Sequence, residues 1–356
     1  LGGRGMAIVY DDSDLVTYME SATHVTPDRP VYLDAFLEDA IELDVDALCD
    51  TEECYVGSVL EHIEECGIHS GDSACCWPPF SLSEKIVDQI RAITKKLALA
   101  CGIRGLLNIQ YAVRDEHVFV IELNPRASRT VPFSSKATGV SLAKYASRIM
   151  AGEKISELRA QGLLPDENRT VDYYAVKEAV MPWSRFPGAD SILGPEMKST
   201  GEVMGIARTF PAAYAKTREA VENKLPEQGS VFISVCDRDK RAIAPVAMAL
   251  ENLGYGIYTT GGTAKTLRAA GIDCTTVNRI SDGHPNVVDL MRDKTVSFII
   301  NTPHGHEAHS DGTKMRAEAV SQGITCVTAM SAATALIQAL AAARKSEPET
   351  FALQDL

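Results

Sequence analysis

Residues 106–124 constrain the fold more than any other stretch, because two apolar segments are separated there by a short polar one. Residues 106–114 and 118–124 are rich in Val, Ile, Leu, Phe and Tyr, and the sequence between them is Asp-Glu-His. Segments of this composition favour strands, and a polar loop of three residues between them favours a hairpin. The stretch therefore predicts two antiparallel strands.

The register of this hairpin decides which polar side chains meet. If Arg114 pairs with Val118, Gln110 falls opposite Glu122, and Asn124 shares a face with Glu122 because side chains alternate along a strand. All three side chains offer oxygen, and Mg²⁺ takes oxygen ligands while keeping water and substrate phosphates. They are a candidate partial shell for magnesium; a sheet with a solvated polar face is the alternative.

Two arginines follow the second strand directly. The strand is predicted to end at Asn124-Pro125, because proline cannot donate a ladder hydrogen bond, and Arg126 and Arg129 come next. A guanidinium can bind phosphate oxygens through paired hydrogen bonds. The two arginines are candidate anion ligands beside the candidate metal site, with surface arginines as the alternative.

Longer motifs around this stretch resemble one family. The segments IELNPRASRTVPFSSKATGVSLAKYASRIMAG, HSGDSA and LGPEMKSTGEVMG are similar to the carboxy-terminal half of the carbamoyl phosphate synthetase large chain, and the resemblance runs over essentially all 356 residues. It implies a fold of mixed α/β and α+β class. A partial ATP-grasp domain would be followed by a doubly wound parallel-sheet domain resembling methylglyoxal synthase.

The pattern of elements changes near residue 229. From there strands are predicted at 230–236, 256–259, 274–277, 297–301 and 326–328, alternating with helices at 240–253, 264–270, 313–322 and 332–344. Such alternation predicts a parallel sheet with helices on both faces. The domains expected are an ATP-grasp domain lacking its amino-terminal part, the closing segment of the synthetase core, and a regulatory domain, at 1–152, 153–228 and 229–356.

Upstream of residue 229 the sequence predicts fewer regular elements. Helices are expected at 11–19, 83–101 and 142–150, the second with Ser83 as N-cap and Gly102 as its stop. Residues 31–50 are expected to carry two strands, the second with acidic residues alternating toward solvent, and 162–209 is expected to be irregular.

The family resemblance implies a reaction and residues that perform it. The reaction would be phosphorylation of carbamate by ATP with Mg²⁺ or Mn²⁺, with Gln110, Glu122 and Asn124 holding the metal and Arg126 and Arg129 orienting the reacting groups. The implied nucleotide-binding residues are Ala35, Leu37, Glu42, Gly67, Ile68, His69, Ser70, Gln110 and Glu122. A potassium ion is implied near Asp34, Glu42, His62 and Glu64.

Two effector sites are also implied by the resemblance. Glu64, Asp72 and Glu178 resemble carboxylates that bind ornithine in some family members, although three carboxylates could equally be solvated. The residues that match a nucleotide-effector site are Ser234, Lys240, Thr260, Thr263, Asn301 and Thr302. Residues 260–263 read TGGT between a strand and a helix, where free N–H groups suit an anion; a turn without a ligand is the alternative.

Composition limits the kind of partner. A formal net charge of −13 argues against general binding to nucleic acid or anionic membranes. The nine cysteines include no C-x-x-C pair, and no apolar run reaches about 20 residues, so we expect a reduced, cytoplasmic protein. The resemblance implies a glutaminase small subunit and the rest of the large chain as partners, and it allows an oligomer.

The start of the chain raises the main alternative. Residues 1–5 read LGGRG, which resembles the middle of a phosphate-covering glycine loop, so the chain is expected to be a fragment whose own catalysis is incomplete. A truncated module that only binds a nucleotide or metabolite is therefore the rival hypothesis. Weaker rivals are another ATP-grasp ligase, such as a biotin carboxylase relative, and true methylglyoxal synthase activity.

Overall fold

Two β-sheets organise the chain. The computed structural model describes residues 7–9, 11–22, 31–221, 226–302, 305–345, 349–350 and 352–355. The glycine-rich start at 1–5 lies outside these residues. The fold class expected from the sequence is confirmed, since an antiparallel sheet is followed by a parallel sheet with helices.

The first sheet has seven antiparallel strands in the order β5-β4-β1-β2-β3-β6-β7. These strands are β1 Ile41–Asp50, β2 Cys54–His62, β3 Cys75–Trp77, β4 Arg104–Arg114, β5 His117–Asn124, β6 Tyr174–Val180 and β7 Gly201–Ala207. The helices of this unit are α1 Asp12–Ala22, α2 Glu84–Ala100, α3 Val131–Thr138, α4 Leu142–Met150, α5 Ile155–Ala160 and α6 Phe210–Ala220. A short 3₁₀ helix spans Trp183–Arg185.

The two faces of this sheet differ because apolar and acidic residues alternate along β1. Leu43, Val45 and Ala47 face α2 and form a core with its apolar stripe. The acidic residues between them point to the opposite face, and α3 and α4 cover one end of that face. The alternation therefore creates a polar surface on an otherwise buried strand.

The β4–β5 hairpin pairs Gln110 with Glu122 as predicted, but Arg114 does not pair with Val118 and the loop differs from the prediction. Arg114 pairs with His117, so the turn contains only Asp115 and Glu116, whose φ angles are +49° and +61°. Two successive residues in the left-handed region are typical of a type I′ turn. A bulge at Ile121 then restores the register, and the three-residue loop expected from the sequence is wrong.

Two further predictions about this unit are wrong. Residues 31–40 contain no strand, so 31–50 carries one strand rather than two. The stretch 162–209 contains β6 and β7, which extend the same sheet beyond β3. Helices α3, α5 and α6 were not predicted. Helix α4 has the predicted bounds, and α2 begins after Ser83 and is followed by Gly102 at φ +60°.

The second sheet is parallel, with strands in the order β10-β9-β8-β11-β12. Its strands are β8 Ser230–Val235, β9 Gly256–Thr260, β10 Thr275–Val277, β11 Phe298–Thr302 and β12 Thr325–Val327. Its helices are α7 Lys240–Asn252, α8 Gly261–Ala269, α9 Val287–Arg292, α10 Gly305–Gln322 and α11 Met330–Ala343. Short 3₁₀ helices span Ile280–Asp282 and Leu353–Asp355, and α9 was not predicted.

Helices cover both faces of the parallel sheet, as predicted. Val231 and Ile233 of β8 pack with α7, α8 and α11, whereas Phe232 packs on the side of α9 and α10. The strand order reverses between β8 and β11, which makes the crevice at their carboxyl ends the topological switch point. In open α/β sheets ligands bind at such points.

The two units share an apolar interface. Ala332, Ala335 and Ala339 on one side of α11 pack with Phe210 and Tyr214 of α6. The opposite side of α11 belongs to the core of the parallel sheet. Small side chains on α11 thus allow one helix to pack in both units.

Candidate functional site

The polar face of the antiparallel sheet runs across β1, β4 and β5. Asp44 lies opposite Gln110 and Asp46 lies opposite Asn108. Gln110 lies opposite Glu122, as the sequence predicted. These residues therefore lie on three adjacent strands and share one face.

The predicted metal ligands come together at the open end of this face. Asn124 Nδ2 donates a hydrogen bond to Glu122 Oε1 at 2.7 Å, and Gln110 is the cross-strand partner of Glu122. In the described parts of the chain, no group of three or more His, Cys, Asp or Glu side chains is arranged to hold a metal. The set contains one carboxylate and two amides, so a magnesium ion here would need phosphate and water oxygens as well.

Arg126 and Arg129 lie on the loop that leaves β5. Both are exposed, and Arg126 Nη1 donates to the carbonyl of Ala127 at 3.3 Å. Neither guanidinium lies within ion-pair distance of a carboxylate of any described residue. The positive charge of Arg129 acts on His69, so this loop approaches the predicted nucleotide loop.

A buried carboxylate fixes the arginine loop. Asp46 is 0% exposed, and its Oδ1 accepts hydrogen bonds from Ser128 Oγ at 2.7 Å and Asn108 Nδ2 at 3.1 Å. Its Oδ2 accepts from Thr130 Oγ1 at 2.6 Å and Ser134 Oγ at 3.0 Å. Burial raises the pKa of Asp46, and the hydroxyl donors oppose that effect. Since residues 128 and 130 flank Arg129, Asp46 holds the backbone that carries this arginine.

His62 joins the polar face from β2. Its Nε2 lies 2.9 Å from Asp44 Oδ2, and its Nδ1 lies 4.0 Å from Glu42 Oε1. Burial acts to lower the pKa of His62, but Asp44 and Glu42 outweigh it and the pKa is raised. Burial likewise acts to raise the pKa of Asp44, but the hydrogen bonds from His62 and Asn108 hold it below the usual value. Each partner therefore favours the charged form of the other.

The expectation that the acidic residues of β1 face solvent is wrong. Asp44 is 1% exposed and Asp46 is 0% exposed. Both are buried because α3 and the neighbouring strands cover them, and each has hydrogen-bond donors that compensate for the loss of water. Asp44 and Asp46 are two residues apart, as are their cross-strand partners Gln110 and Asn108. This matching spacing is the sequence signal that could have placed the two carboxylates on the same polar face.

The predicted nucleotide residues lie in two segments beside Glu42. The backbone N–H of Gly67 donates to Glu42 Oε2 at 2.9 Å. Gly67 has φ +96°, and a Cβ added there would lie 3.2 Å from the ring of Phe36. Residues 35–37 therefore pass next to the 67–70 loop, and the structure brings the predicted residues of both segments together.

Lys177 is a buried cation that sequence reasoning missed. It is 1% exposed, and its Nζ donates to the carbonyl of Ser70 at 3.1 Å. Its charge acts on Asp44 and His62, so it belongs to the same polar face. Side chains alternate between the two faces of the sheet along β6, and this alternation places Lys177 on the polar face. Strand β6 was not predicted from the sequence, so Lys177 was missed.

Glu178 of the predicted ornithine set already has an internal cation. It forms an ion pair with Arg218 and accepts a hydrogen bond from Thr217 Oγ1 at 2.6 Å. Arg218 was not identified from the sequence, because it lies on α6, far along the chain. The structure thus supplies Glu178 with a partner of its own.

The other two carboxylates of that set accept backbone hydrogen bonds. Asp72 accepts from the N–H groups of residues 198 and 199, both at 2.8 Å. Glu64 accepts from Ala74 N at 2.6 Å, and burial, followed by the negative charge of Glu178, raises its pKa to about 7. Glu64 and Glu178 are therefore close enough to interact, while Asp72 mainly anchors the 198–199 segment.

The predicted nucleotide-effector residues gather at the switch point of the parallel sheet. Asn301 Nδ2 donates to the carbonyl of Ser234 at 2.9 Å, which links β11 to β8. Ser234 Oγ lies 3.3 Å from Thr260 Oγ1, and Thr263 Oγ1 accepts from the N–H of residue 235 at 3.4 Å. Thr302 is buried at the end of β11. These five residues line the crevice at the carboxyl edge.

Lys240 lies at the start of α7 beside this crevice. Its ammonium forms an ion pair with Asp237, and a Cβ added at Gly262 would lie 3.6 Å from Lys240 Nζ. The cation is therefore next to the TGGT turn and the N-terminus of α8, where an anion is favoured.

Two family models match the chain. One describes the carbamoyl-phosphate synthase L chain, ATP binding domain, and matches residues 1–158. The other describes the MGS-like domain and matches residues 242–328. The carbamoyl phosphate synthase large chain of Renibacterium salmoninarum is 48% identical over 377 residues, and that of Corynebacterium glutamicum is 49% identical over 372 residues. This chain belongs to the carbamoyl phosphate synthase large-chain family.

The large-chain relatives are longer than this chain. Each match covers 100% of the chain, which spans 34% of the Renibacterium salmoninarum large chain and 33% of the Corynebacterium glutamicum large chain. The family assignment therefore covers the ATP binding and MGS-like parts that the sequence predicted. No described helix is both long and apolar enough to cross a membrane.

Solved biotin carboxylase domains are among the structures that match part of this chain. The biotin carboxylase domain of a single-chain bacterial carboxylase has a TM-score of 0.44 and 15% identity, and the match covers 59% of this chain and 57% of that chain. The biotin carboxylase domain of Hydrogenobacter thermophilus 2-oxoglutarate carboxylase, in complex with MgADP, ADP and bicarbonate, has a TM-score of 0.45 and 19% identity, covering 62% and 54%.

Proposed function

We propose that this chain provides the site at which MgATP phosphorylates carbamate, giving carbamoyl phosphate and ADP. The observation that carries the proposal is the pairing of Gln110 with Glu122 and Asn124 directly before two exposed arginines, within the region that matches an ATP binding domain. Oxygen ligands beside exposed guanidinium groups suit a phosphoryl group and its metal.

Each group of this site has a proposed role. Gln110, Glu122 and Asn124 would hold Mg²⁺, which when bound neutralises charge on the phosphates. Arg126 and Arg129 would orient the transferring phosphoryl group and the carbamate through hydrogen bonds to their oxygens. Mn²⁺ as a substitute metal and K⁺ near Glu42 remain predictions.

The nucleotide would bind between the 35–37 segment and the 67–70 loop. Backbone groups of Ala35 and Leu37 would hold the base, and Glu42 would accept hydrogen bonds from the ribose hydroxyls. The contact between Gly67 and Glu42 supports this arrangement, because it fixes the carboxylate at the edge of the loop.

Regulation is also part of the proposal. A nucleotide effector would bind at the switch point, where hydroxyls, Asn301 and Lys240 converge. An ornithine site at Glu64, Asp72 and Glu178 is also proposed, and an amine bound there would compete with Arg218 for Glu178. A glutaminase small subunit and the rest of the large chain are proposed partners.

The test is ATP formation from carbamoyl phosphate and MgADP. We would measure it on this chain and on a hybrid in which the chain replaces the matching third of the Corynebacterium glutamicum large chain. Glu122→Ala in the active hybrid should remove most magnesium-dependent turnover, because the only carboxylate of the metal set is lost. Glu116→Gln is the control, because Glu116 lies in the turn of the same hairpin and away from the polar face. This variant should keep its magnesium-dependent turnover.

Two outcomes would count against the proposal. Full activity of the Glu122→Ala hybrid would refute the metal assignment. A folded hybrid without activity would favour the second candidate, a regulatory module that only binds nucleotide, which the polar residues at the switch point support.

A further inference from the structure

Arg316 is a fully buried arginine on α10 that joins the two units. It is 0% exposed, and its Nε and Nη2 donate to Oδ1 and Oδ2 of Asp190 at 2.5 and 2.8 Å. Asp190 lies in the segment between β6 and β7 of the antiparallel sheet. A two-point ion pair of this kind fixes both position and orientation.

The same guanidinium also contacts the effector crevice. Arg316 Nη1 donates to Asn301 Oδ1 at 3.1 Å, and Asn301 Nδ2 donates to the carbonyl of Ser234 at 2.9 Å. Both ends of the Asn301 amide are therefore fixed, one of them by Arg316. Asn301 and Ser234 lie on the two strands that flank the switch point.

On the other side, hydrogen bonds continue from Asp190 to the nucleotide loop. Asp190 Oδ1 accepts from Ile192 N at 3.0 Å, and two residues later the carbonyl of Gly194 accepts from His69 N at 2.9 Å. Through the same loop, the Gly67 N–H reaches Glu42. Hydrogen bonds and two short chain segments, 192–194 and 67–69, thus connect the crevice to the proposed ribose ligand.

Besides the apolar interface of α11 with α6, a second ion pair between the units is weaker. Arg238, on the loop between β8 and α7, lies 3.3 Å from Glu65, and both side chains are about one-third exposed or more. Exposed pairs contribute little because water screens them. A buried pair is different, because removing one partner leaves an uncompensated charge. Of these two ion pairs, the one between Arg316 and Asp190 should therefore be the one whose loss disturbs the structure.

We propose that Arg316 is a positioning residue that couples the switch-point crevice to the 67–70 nucleotide loop. A ligand that engages the Asn301 amide would alter the hold of Arg316 on Asp190, and thereby the 190–194 segment and the loop. This inference rests on the proposed nucleotide and effector sites. It requires the same contacts to transmit in both directions, since energetic coupling between two sites is reciprocal.

The first experiment is hydrogen exchange with mass spectrometry on the chain as it stands. The double variant Asp190→Ala/Arg316→Met removes both charges, so no unpaired ion is left buried. We expect exchange at least about tenfold faster in residues 67–73 as well as in 298–302, because each loses the shared anchor. The matched control is Arg292→Gln, which breaks two hydrogen bonds from α9 to Glu318 of α10 without crossing to the other unit.

The result decides between coupling and a local structural bond. Faster exchange confined to 188–194 and α10, or the same change in the Arg292→Gln control, would overturn the proposal. The single variant Asp190→Asn, which keeps the side-chain shape, should give a smaller change in the same two regions. No turnover is needed, so this test can fail while the phosphoryl-transfer test succeeds, and the reverse.

A second experiment adds a ligand. UMP and inorganic phosphate serve as probes at millimolar concentration. If UMP slows exchange of residues 67–73 in the unmodified chain, and if this protection is at least fivefold smaller in the double variant, ligand-driven coupling is supported. Equal protection in both proteins, or no change in the exchange of residues 67–73 with either probe, would overturn the proposal that a bound ligand acts on this loop.

Discussion

Glu64 should make the protein less stable as the pH rises, which is opposite to the usual behaviour of a paired carboxylate. Burial, followed by the charge of Glu178, raises its pKa from 4.5 to about 7. Between these values the folded chain binds more protons than the unfolded chain. Stability from this group is therefore fully present below about pH 4.5 and is lost as the pH rises toward 7.

The magnitude follows from the pKa change. One pKa unit corresponds to about 1.36 kcal/mol, so a rise from 4.5 to about 7 gives about 3.4 kcal/mol. Glu64 is half-buried, and partial exposure reduces this figure, so we expect about 2–3 kcal/mol. Glu64→Gln keeps an oxygen for the N–H of Ala74 and removes the charge. At pH 8 the variant should therefore unfold at higher urea, and at pH 4.5 it should match the unmodified chain.

The assay is urea unfolding at a series of pH values. The two tryptophans, Trp77 and Trp183, both lie in the antiparallel unit, so their fluorescence reports its unfolding. The difference in free energy of unfolding between Glu64→Gln and the unmodified chain isolates this one group. Glu219→Gln, an exposed residue of α6, is the control. A difference that does not change with pH, or an unmodified chain that is the more stable at pH 8, would refute the reasoning.

Two other predictions concern the hairpin and the loop beyond it. Asp46→Ala leaves the hydroxyls of Ser128 and Thr130 without their acceptor, so the free energy of unfolding should fall by about 3 kcal/mol, measured by the same urea assay; a loss below about 1 kcal/mol would contradict the anchoring role. Glu116→Gly should raise it by about 1 kcal/mol, because φ at this position is +61°; a decrease would show that the turn is not strained by its side chain.

Several features of this protein were available from the sequence alone. Local composition identified the β4–β5 hairpin, and alternation along its strands put Gln110 opposite Glu122. The alternation of strands and helices after residue 229 predicted the parallel sheet. These inferences succeeded because they depend on neighbours along the chain and on the fixed periods of strands and helices.

Other features required the tertiary structure. The two-residue turn and the bulge at Ile121 offset each other, so Gln110 does lie opposite Glu122 although the predicted Arg114–Val118 pair and the predicted loop were wrong. Whether Asp44 faces water or a covering helix depends on elements far from it in sequence. The same holds for Arg218 beside Glu178 and for Arg316 beside Asp190.

The physical reason is that sequence period fixes the direction of a side chain but not what lies opposite it. A strand pattern determines that Glu42, Asp44 and Asp46 share one face. Only packing decides that this face is buried and that its charges acquire partners. Burial then changes the free energy of every ionised group on the face, which is why the pKa changes of Glu64, His62 and Asp46 belong to the folded structure and not to the sequence.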